Sequence, residues 1–197
     1  MEPFSTHAGK TAVLPLDDID TDRIIPARFL SRISRSGYGE LLFADVRGPE
    51  FPLDAPEAQG ASILVAGSNF GSGSSREHAV WAIQQAGFKA VIAKQTATDG
   101  AFSDIFRQNS ANCGLLLIAL PEQDWTKLAA AGSGATVKVD LPNQTVVLDG
   151  ESYAFEIAPA NKDAVMRGLD LIGNTLLSAD AIADYEVDRG PFVPPKA

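Results

Sequence analysis

The chain contains 197 residues, of which 45% are hydrophobic and 21% are charged. A chain of this length and apolar content can bury a substantial core, so we expect one compact domain over residues 1–197, with irregular tails at residues 1–9 and 188–197. Sixteen basic and twenty-five acidic side chains give a net charge of −9, which disfavours nucleic acid and anionic membranes as partners.

The apolar segments and the cysteine count exclude further classes of protein. No stretch approaches the roughly 18 to 20 consecutive apolar residues that span a bilayer, and the first ten residues lack the apolar region of a signal peptide, so we expect a soluble cytoplasmic protein. Cys113 is the single cysteine, which excludes an intrachain disulfide and is too few for an iron–sulfur or zinc site. We therefore expect no metal on this chain, and another chain would have to hold any such group.

The first sixty residues carry one strand signal and several loop signals. Residues 10–16 predict a short strand, and an acidic loop, DDIDTDRIIP, follows it. Residues 38–46 have apolar spacing that is compatible with a helix. Residues 48–60 contain three prolines and predict a long surface connection.

Strand and helix patterns alternate from residue 62 onward. Short apolar runs at residues 62–66, 90–93 and 115–120 predict strands, while residues 74–86 and 102–109 predict helices. Gly87 is expected just past the first helix, and Pro121 is expected to begin a further helix that reaches Ala131. This alternation indicates parallel strands joined by right-handed crossovers.

The pattern changes after Gly134. Residues 136–157 alternate apolar and polar in three runs, which predicts an antiparallel meander. Two short helices are expected to follow, one ending near Gly168 and one capped by Ser178 and running to about Glu186. The fold class is therefore α/β, with a parallel strand–helix core and a C-terminal antiparallel meander.

The most informative segment is GSNFGSGSSREH, residues 67–78, which places three glycines and four serines between a predicted strand and helix. Ser74 and Glu77 have the spacing of a capping box, with Ser74 as N-cap, and an ordinary helix cap would explain the motif. Alternatively, amides that hydrogen-bond the neutral hydroxyl would stabilise its alkoxide more strongly. Ser74 could then act as a base while Arg76 binds a carboxylate. On the residues alone, both interpretations stay open.

Other glycine-rich motifs do not match this loop. The glycines at 67, 71 and 73 fit neither the dinucleotide pattern nor the P-loop. No serine stands at the centre of the G-x-S-x-G pattern of a hydrolase elbow. A non-catalytic module that binds phosphate or nucleotide, and a purely structural subunit, remain as alternative interpretations.

The segment NFGSGSSREHAVWAI resembles the signature of the aconitase superfamily's swivelling domain, in the stand-alone form found as 3-isopropylmalate dehydratase small subunits. DIDTDRIIPARFL, GFKAVIA, FSDIF, RQNSANCGLL and GLDLIGNTL agree in order, so the resemblance runs from about Lys10 to Glu186. It implies a mixed β/β/α fold and a hydro-lyase activity that isomerises 2-isopropylmalate to 3-isopropylmalate in leucine biosynthesis. It also implies that a large subunit shares the active site and holds a [4Fe–4S] cluster, a Lewis acid for the substrate hydroxyl.

The resemblance implies roles for particular residues. Ser74 would be the general base, and Ser75 and Arg76 would bind a carboxylate of the substrate, a small 2-hydroxy dicarboxylate. Asp22 would orient an arginine, with Thr21 beside it at the substrate. Gly71, Gly73 and Glu77 would complete the anion-holding loop.

A loop that senses the substrate's side group is expected at residues 29–33. Phe29, Leu30 and Ile33 would meet an isopropyl group, and Arg32 or Arg35 would meet a carboxylate. Alternatively, the first two belong to the core and both arginines are solvated. Methylmalate or homoaconitate are alternative substrates because only this segment encodes the choice.

Two departures from the family pattern stand out. Ser72 occupies a position where cysteine is common, and residues 94–100 look like an insertion that would alter the contact with the partner chain.

Overall fold

The computed structural model describes residues 1–189, except for the side chain of Asp188. Within this range one mixed sheet has the strand order β4-β3-β2-β1-β5-β6-β7. The strands are β1 (Thr6–Leu14), β2 (Ile63–Ala66), β3 (Ala90–Gln95), β4 (Leu116–Pro121), β5 (Thr136–Asp140), β6 (Thr145–Leu148) and β7 (Glu151–Ala154).

The helices fall into two groups, before and after the meander. Four precede it: α1 (Thr21–Ile24), α2 (Glu77–Gln85), α3 (Asp104–Cys113) and α4 (Glu122–Ala130). Three follow it: α5 (Pro159–Arg167), α6 (Leu171–Leu176) and α7 (Ala179–Arg189). Single 3-10 turns lie at Ala27–Phe29, Gly39–Leu41, Pro52–Asp54 and Pro56–Ala58.

Strand β1 joins the two halves of the sheet. Its first five residues, from Thr6 to Lys10, pair antiparallel with β5, and its last four, from Thr11 to Leu14, pair parallel with β2. The ends of the parallel strands are in register, since Leu14 lies opposite Ala66, which lies opposite Ala93 on β3. The segments that follow these strands therefore leave from one edge of the sheet, where α/β folds place their sites.

Alternating strand residues build a hydrophobic core on each face of the sheet. Leu14 and Leu64 face α1, α2 and α3, and pack in the first core with Ile24, Ile83 and Phe106. Neighbouring strand residues face the second core, which lies between the other face of the sheet and helices α4 and α5. Its members include Val13, Val65, Ile92, Trp125, Val139 and Tyr153.

The fold class, the alternating strand–helix order and the antiparallel meander are confirmed. Several boundaries were wrong. Strand β1 begins at Thr6, so residues 6–9 are not an irregular tail, and the predicted helix at residues 38–46 is only one 3-10 turn. The end predicted as two helices contains three, and most of the predicted tail, residues 190–197, lies outside the described residues.

The proline-rich segment 48–60 was predicted as a surface connection, yet Phe51, Leu53 and Ala58 are buried in the first core. Hydrophobic side chains spaced between the prolines anchor this segment to the sheet. A separate finding concerns membranes: among residues 1–189, no helix combines the length and the apolar character needed to cross a bilayer.

Candidate active site

Two loops meet at the carboxyl edge of the parallel strands. Residues 67–76 follow β2, and the acidic segment 17–22 follows β1. An isolated bridge between Asp20 and Ser72 joins them. Ser74, Ser75 and Arg76 therefore lie on a loop that adjoins Thr21 and Asp22, whereas Arg32 and Arg35 are not on these two loops.

Gly71 allows the glycine and serine loop to pass close over α3. Its φ is +76°, and a Cβ at this position would lie 2.3 Å from Cγ of Phe106. Its N–H donates to the Ile19 carbonyl at 2.7 Å, and its carbonyl accepts from the Ser103 hydroxyl at 2.6 Å. A side chain at Gly71 would clash and strain the backbone, so the loop's path depends on glycine here.

Helix α1 fixes the loop from the opposite side. Asp20 caps this helix by accepting from the Arg23 N–H at 2.7 Å. The next residue, Thr21, donates its N–H to the Ser72 carbonyl and its hydroxyl to the Ser74 carbonyl, both at 2.9 Å. Thr21 was predicted to lie at the substrate, but its side chain is buried and its hydroxyl is already bonded, so it contacts the loop instead.

Arg76 and Asp22 form an ion pair across the two loops. The Arg76 side chain is only 14% exposed, whereas that of Asp22 is 55% exposed. Nη1 of Arg76 is buried and lies against the Asp22 carboxylate, so this contact holds the guanidinium in place beside the loop.

Ser74 and Ser75 are exposed at the surface of the loop. The predicted capping box is wrong, because α2 begins at Glu77 with Arg76 in the N-cap position and without a side-chain cap. Within residues 1–189 no amide donates to the Ser74 hydroxyl, so the expected amide cradle is not formed. Asn109 on α3 approaches Ser75, with its Nδ2 3.5 Å from Oγ, the outer limit of a hydrogen bond.

Glu77 turns toward α3 rather than back along its own helix. Its carboxylate accepts from the Cys113 thiol at 3.2 Å. Burial raises the pKa of Cys113 to about 12, and the hydrogen bond and charge of Glu77 add to this rise. The thiol therefore stays protonated at neutral pH, which makes it a poor metal ligand.

Asp17 ties the ends of three parallel strands together. Its carboxylate accepts from the Ser68 N–H at 2.7 Å and from Lys94 at 3.1 Å. Partial burial would raise the pKa of Asp17, but the bonds from Ser68 and Lys94 outweigh it and lower the pKa below its ordinary value. Lys94 also lies over the Trp125 ring at 5.3 Å, so it packs at the carboxyl end of β3.

The segment predicted to sense the side group divides into packed and exposed residues. Phe29 and Leu30 are half-buried against the first core, while Ile33 is fully exposed. Arg32 donates to the Gly37 carbonyl at 2.9 Å, and Arg35 lies over the Trp81 ring at 5.2 Å. Both arginines are exposed, and neither pairs with a carboxylate in the described part of the chain.

Sequence reasoning missed the partners that bring these loops together. The aspartate before a short helix, Asp20, has an N-cap signal that could have been found. The approach of Asn109 to Ser75 and of Cys113 to Glu77 joins residues more than thirty positions apart, and no local pattern indicates it. Among residues 1–189, no group of three or more His, Cys, Asp or Glu side chains is placed to hold a metal ion.

Exposed serines lie beside a nearly buried guanidinium at the carboxyl edge of a mixed sheet, and these are groups that suit the binding of small carboxylates. Comparison with known families gives the class of protein. A family described as the aconitase C-terminal domain matches residues 1–123, and a family described as LeuD_N matches residues 123–159.

Curated relatives match almost the whole chain. The 3-isopropylmalate dehydratase small subunit of Listeria monocytogenes (serotype 4a, strain HCC23) is 46% identical, over 94% of this chain and 97% of its own. That of Bacillus subtilis (strain 168) is 43% identical, over 98% and 99%. A crystal structure of 3-isopropylmalate dehydratase from Methanocaldococcus jannaschii superposes with a TM-score of 0.67 and 28% identity, over 92% of this chain and 99% of that one. The chain belongs to the family of 3-isopropylmalate dehydratase small subunits.

Proposed function

We propose that this chain is the small subunit of a two-chain 3-isopropylmalate dehydratase. The two-chain enzyme would isomerise 2-isopropylmalate to 3-isopropylmalate by removal and re-addition of water. This reaction would take place in the cytoplasm, as a step of leucine biosynthesis. The observation that carries the proposal is the nearly buried Arg76 guanidinium, which Asp22 holds beside the exposed loop that bears Ser74. The relatives' names supply the reaction, and the site supplies groups that suit a dicarboxylate.

Arg76 is proposed to bind one substrate carboxylate. A guanidinium can donate two parallel hydrogen bonds to a carboxylate, and Asp22 holds this one in a fixed orientation. Ser75 and Asn109 lie beside each other at the loop surface and would add neutral donors to the same carboxylate. Gly73, which is exposed and has a positive φ, would allow the backbone to approach the bound anion, whereas the amide of Gly71 is already bonded to the Ile19 carbonyl.

Ser74 is proposed as the general base. It would take the proton from the substrate carbon while hydroxide leaves the neighbouring carbon, and the same group would return the proton when water adds back in the opposite placement. Support comes from its exposure and from the bond between its carbonyl and Thr21, which fixes the backbone that carries the hydroxyl. Because no helix amide bonds this hydroxyl, the charge of Arg76 is the proposed source of stabilisation for the alkoxide.

The remaining groups are proposed to come from a large subunit that carries a [4Fe–4S] cluster. This chain does not fit the cluster itself, because its single thiol is half-buried and its pKa is raised to about 12. Seven large apolar side chains are exposed on α6, on α7 and in the two-residue link between them: Leu171, Ile172, Leu176, Leu177, Ile182, Tyr185 and Val187. Exposed apolar surface of this extent favours association, and we assign it to the large subunit.

The position of these helices supports that assignment. The Leu171 N–H donates to the Asn112 side chain at 3.3 Å, which joins α6 to α3. Asn109, one turn earlier on α3, lies beside Ser75. A partner seated on this surface would therefore also reach the candidate site.

The test is reconstitution with a cluster-loaded large subunit from a relative. The isolated chain should give no turnover, and the mixture should convert 2-isopropylmalate. Ser74→Ala should lower kcat by about 10³-fold while leaving assembly intact, and Ser152→Ala, on the exposed face of β7, should behave as the unsubstituted chain. Near-normal turnover by Ser74→Ala would remove Ser74 as the base, and faster turnover of methylmalate or homoaconitate would reassign the substrate.

A further inference from the structure

The exposed segment Ser31–Gly37 has an anchor that the proposed reaction does not use. Every residue of this segment is exposed, whereas the next residue, Tyr38, is completely buried. Gln85, the last residue of α2, bonds both parts. Its Oε1 accepts from the Tyr38 N–H, and its Nε2 donates to the Arg35 carbonyl, both at 2.8 Å.

These two bonds span a four-residue turn. The Arg35 carbonyl and the Tyr38 N–H are the groups that would bond each other across a closed turn, and Gly37 has a φ of +79° within it. The Gln85 carboxamide is inserted between them and satisfies both. The Tyr38 N–H can only donate and the Arg35 carbonyl can only accept, so the anchor needs both ends of an amide.

The backbone just after the turn packs directly against the end of α2. A Cβ at Gly39 would lie 2.4 Å from the Gln85 carbonyl oxygen, so only glycine allows this approach. This contact fixes the chain where it leaves the turn, and the Gln85 amide bonds the turn itself.

Both guanidiniums of the segment depend on this turn. Arg32 bonds to the Gly37 carbonyl within the turn and lies over the Tyr38 ring at 5.8 Å, while Arg35 is part of the turn and lies over the Trp81 ring. Trp81 lies one turn after Glu77 on α2, so Arg35 lies along the same helix as the candidate site.

We propose that Gln85 is the positioning residue for substrate selection: its carboxamide sets turn 35–38, and the turn sets the guanidiniums and Ile33 that meet the far end of the diacid. The inference rests on the proposed function and deepens it. It predicts that the anchor affects substrate binding and selection more than the chemical step, because Ser74 and Arg76 lie at the other end of α2, about 13 Å away at 1.5 Å per residue.

The first experiment uses the reconstituted two-chain enzyme with Gln85→Met, which keeps the side-chain length and removes both bonds. KM for 2-isopropylmalate should rise about tenfold with kcat within about twofold, and the preference for 2-isopropylmalate over methylmalate should fall. Gln85→Glu keeps the acceptor for Tyr38 and loses the donor for Arg35, so a smaller change in the same direction is expected. Gln84→Met is the matched control, because its neighbouring amide bonds only the Cys113 carbonyl.

Trypsin provides a second readout that needs no activity. It cuts after arginine, and its cleavage after Arg32 and Arg35 should be several-fold faster in Gln85→Met than in the unsubstituted chain or Gln84→Met, since a released turn enters the protease more readily. Equal cleavage rates, or an unchanged KM and preference, would overturn the proposal. If the unsubstituted pair of chains does not convert 2-isopropylmalate, the proposed function fails, and the cleavage rates still decide whether Gln85 holds the turn.

Discussion

Arg76 carries a nearly buried charge that pairs with one opposite charge among the described residues. Such a charge is unfavourable unless an opposite charge and hydrogen bonds compensate for its lost hydration, and the Asp22 carboxylate, which meets the buried Nη1, supplies compensation from one side. In the proposed function, a substrate carboxylate would add a second acceptor for the guanidinium.

The first prediction concerns this guanidinium. Arg76→Lys keeps the positive charge but removes the planar pair of donors, so KM for 2-isopropylmalate should rise by 10- to 100-fold, or about 1.4–2.8 kcal/mol. Steady-state kinetics of the reconstituted enzyme would measure this change. Arg28→Lys is the control, because its ion pair with Asp45 is exposed. An unchanged KM for Arg76→Lys would contradict carboxylate binding at this position.

The second prediction concerns the Cys113 thiol, whose pKa is raised from 9.0 to about 12 by burial and by Glu77. At pH 8 the thiolate fraction should be only about 10⁻⁴, so iodoacetamide should modify Cys113 far more slowly than a free thiol. Glu77→Gln removes the negative charge, which should lower the thiol pKa and speed modification several-fold. Mass spectrometry at a series of times would follow the reaction. Rapid modification of the unsubstituted chain would contradict the inertness of this thiol.

At the scale of elements, Asp17 joins the segments after β1 and β2 to the end of β3. Because the pKa of its carboxyl is lower in the folded chain than the ordinary value of 3.8, its stabilisation is present above that value and is lost as pH falls through the folded pKa. Asp17→Asn should therefore lower the free energy of unfolding by about 1 kcal/mol at pH 7. The effect is limited to this size because about half of the Asp17 side chain is exposed to solvent, which screens its charge.

Urea unfolding between pH 7 and pH 3 would test this third prediction. The difference between Asp17→Asn and the unsubstituted chain should shrink below about pH 4. Asp163→Asn, which removes an exposed pair with Arg167, should change stability little at any pH. A difference that persisted unchanged into acid would mean that the carboxylate charge is not what stabilises the strand ends.

Elements that depend on periodicity could be predicted from the sequence. The parallel strands and the meander follow from apolar runs and from alternation, which are local properties. The start of α2 could not be predicted from periodicity, because the Thr21 hydroxyl bonds the Ser74 carbonyl and holds Ser74 outside the helix. For the candidate site, the loop and its charged residues could be located from the sequence, but the contacts from α1 and α3 that orient Ser74, Ser75 and Glu77 depend on tertiary structure.

For the whole molecule, the uneven distribution of exposed apolar side chains has a consequence for assembly. Leu176→Asp on α6 should weaken binding to the large subunit by at least about tenfold, since it places a charge within the proposed contact. Thermal stability of the isolated chain should change little, because this side chain is 62% exposed. Thr136→Asp, on the exposed side of β5, is the control, and equal affinities in a surface-binding measurement would contradict the assignment.

The exchange of partners along β1 lets one strand report on two separate events. Its first five residues pair with β5 and its last four pair with β2, but the Thr11 and Val13 amides still donate to Ala135 and Ser133, which precede β5. If the meander opens before the parallel layer, deuterium should enter the amides bonded to β5 and to residues 133–135 well before the amides bonded to β2. Hydrogen exchange along this one strand would then report separately on the two halves of the protein.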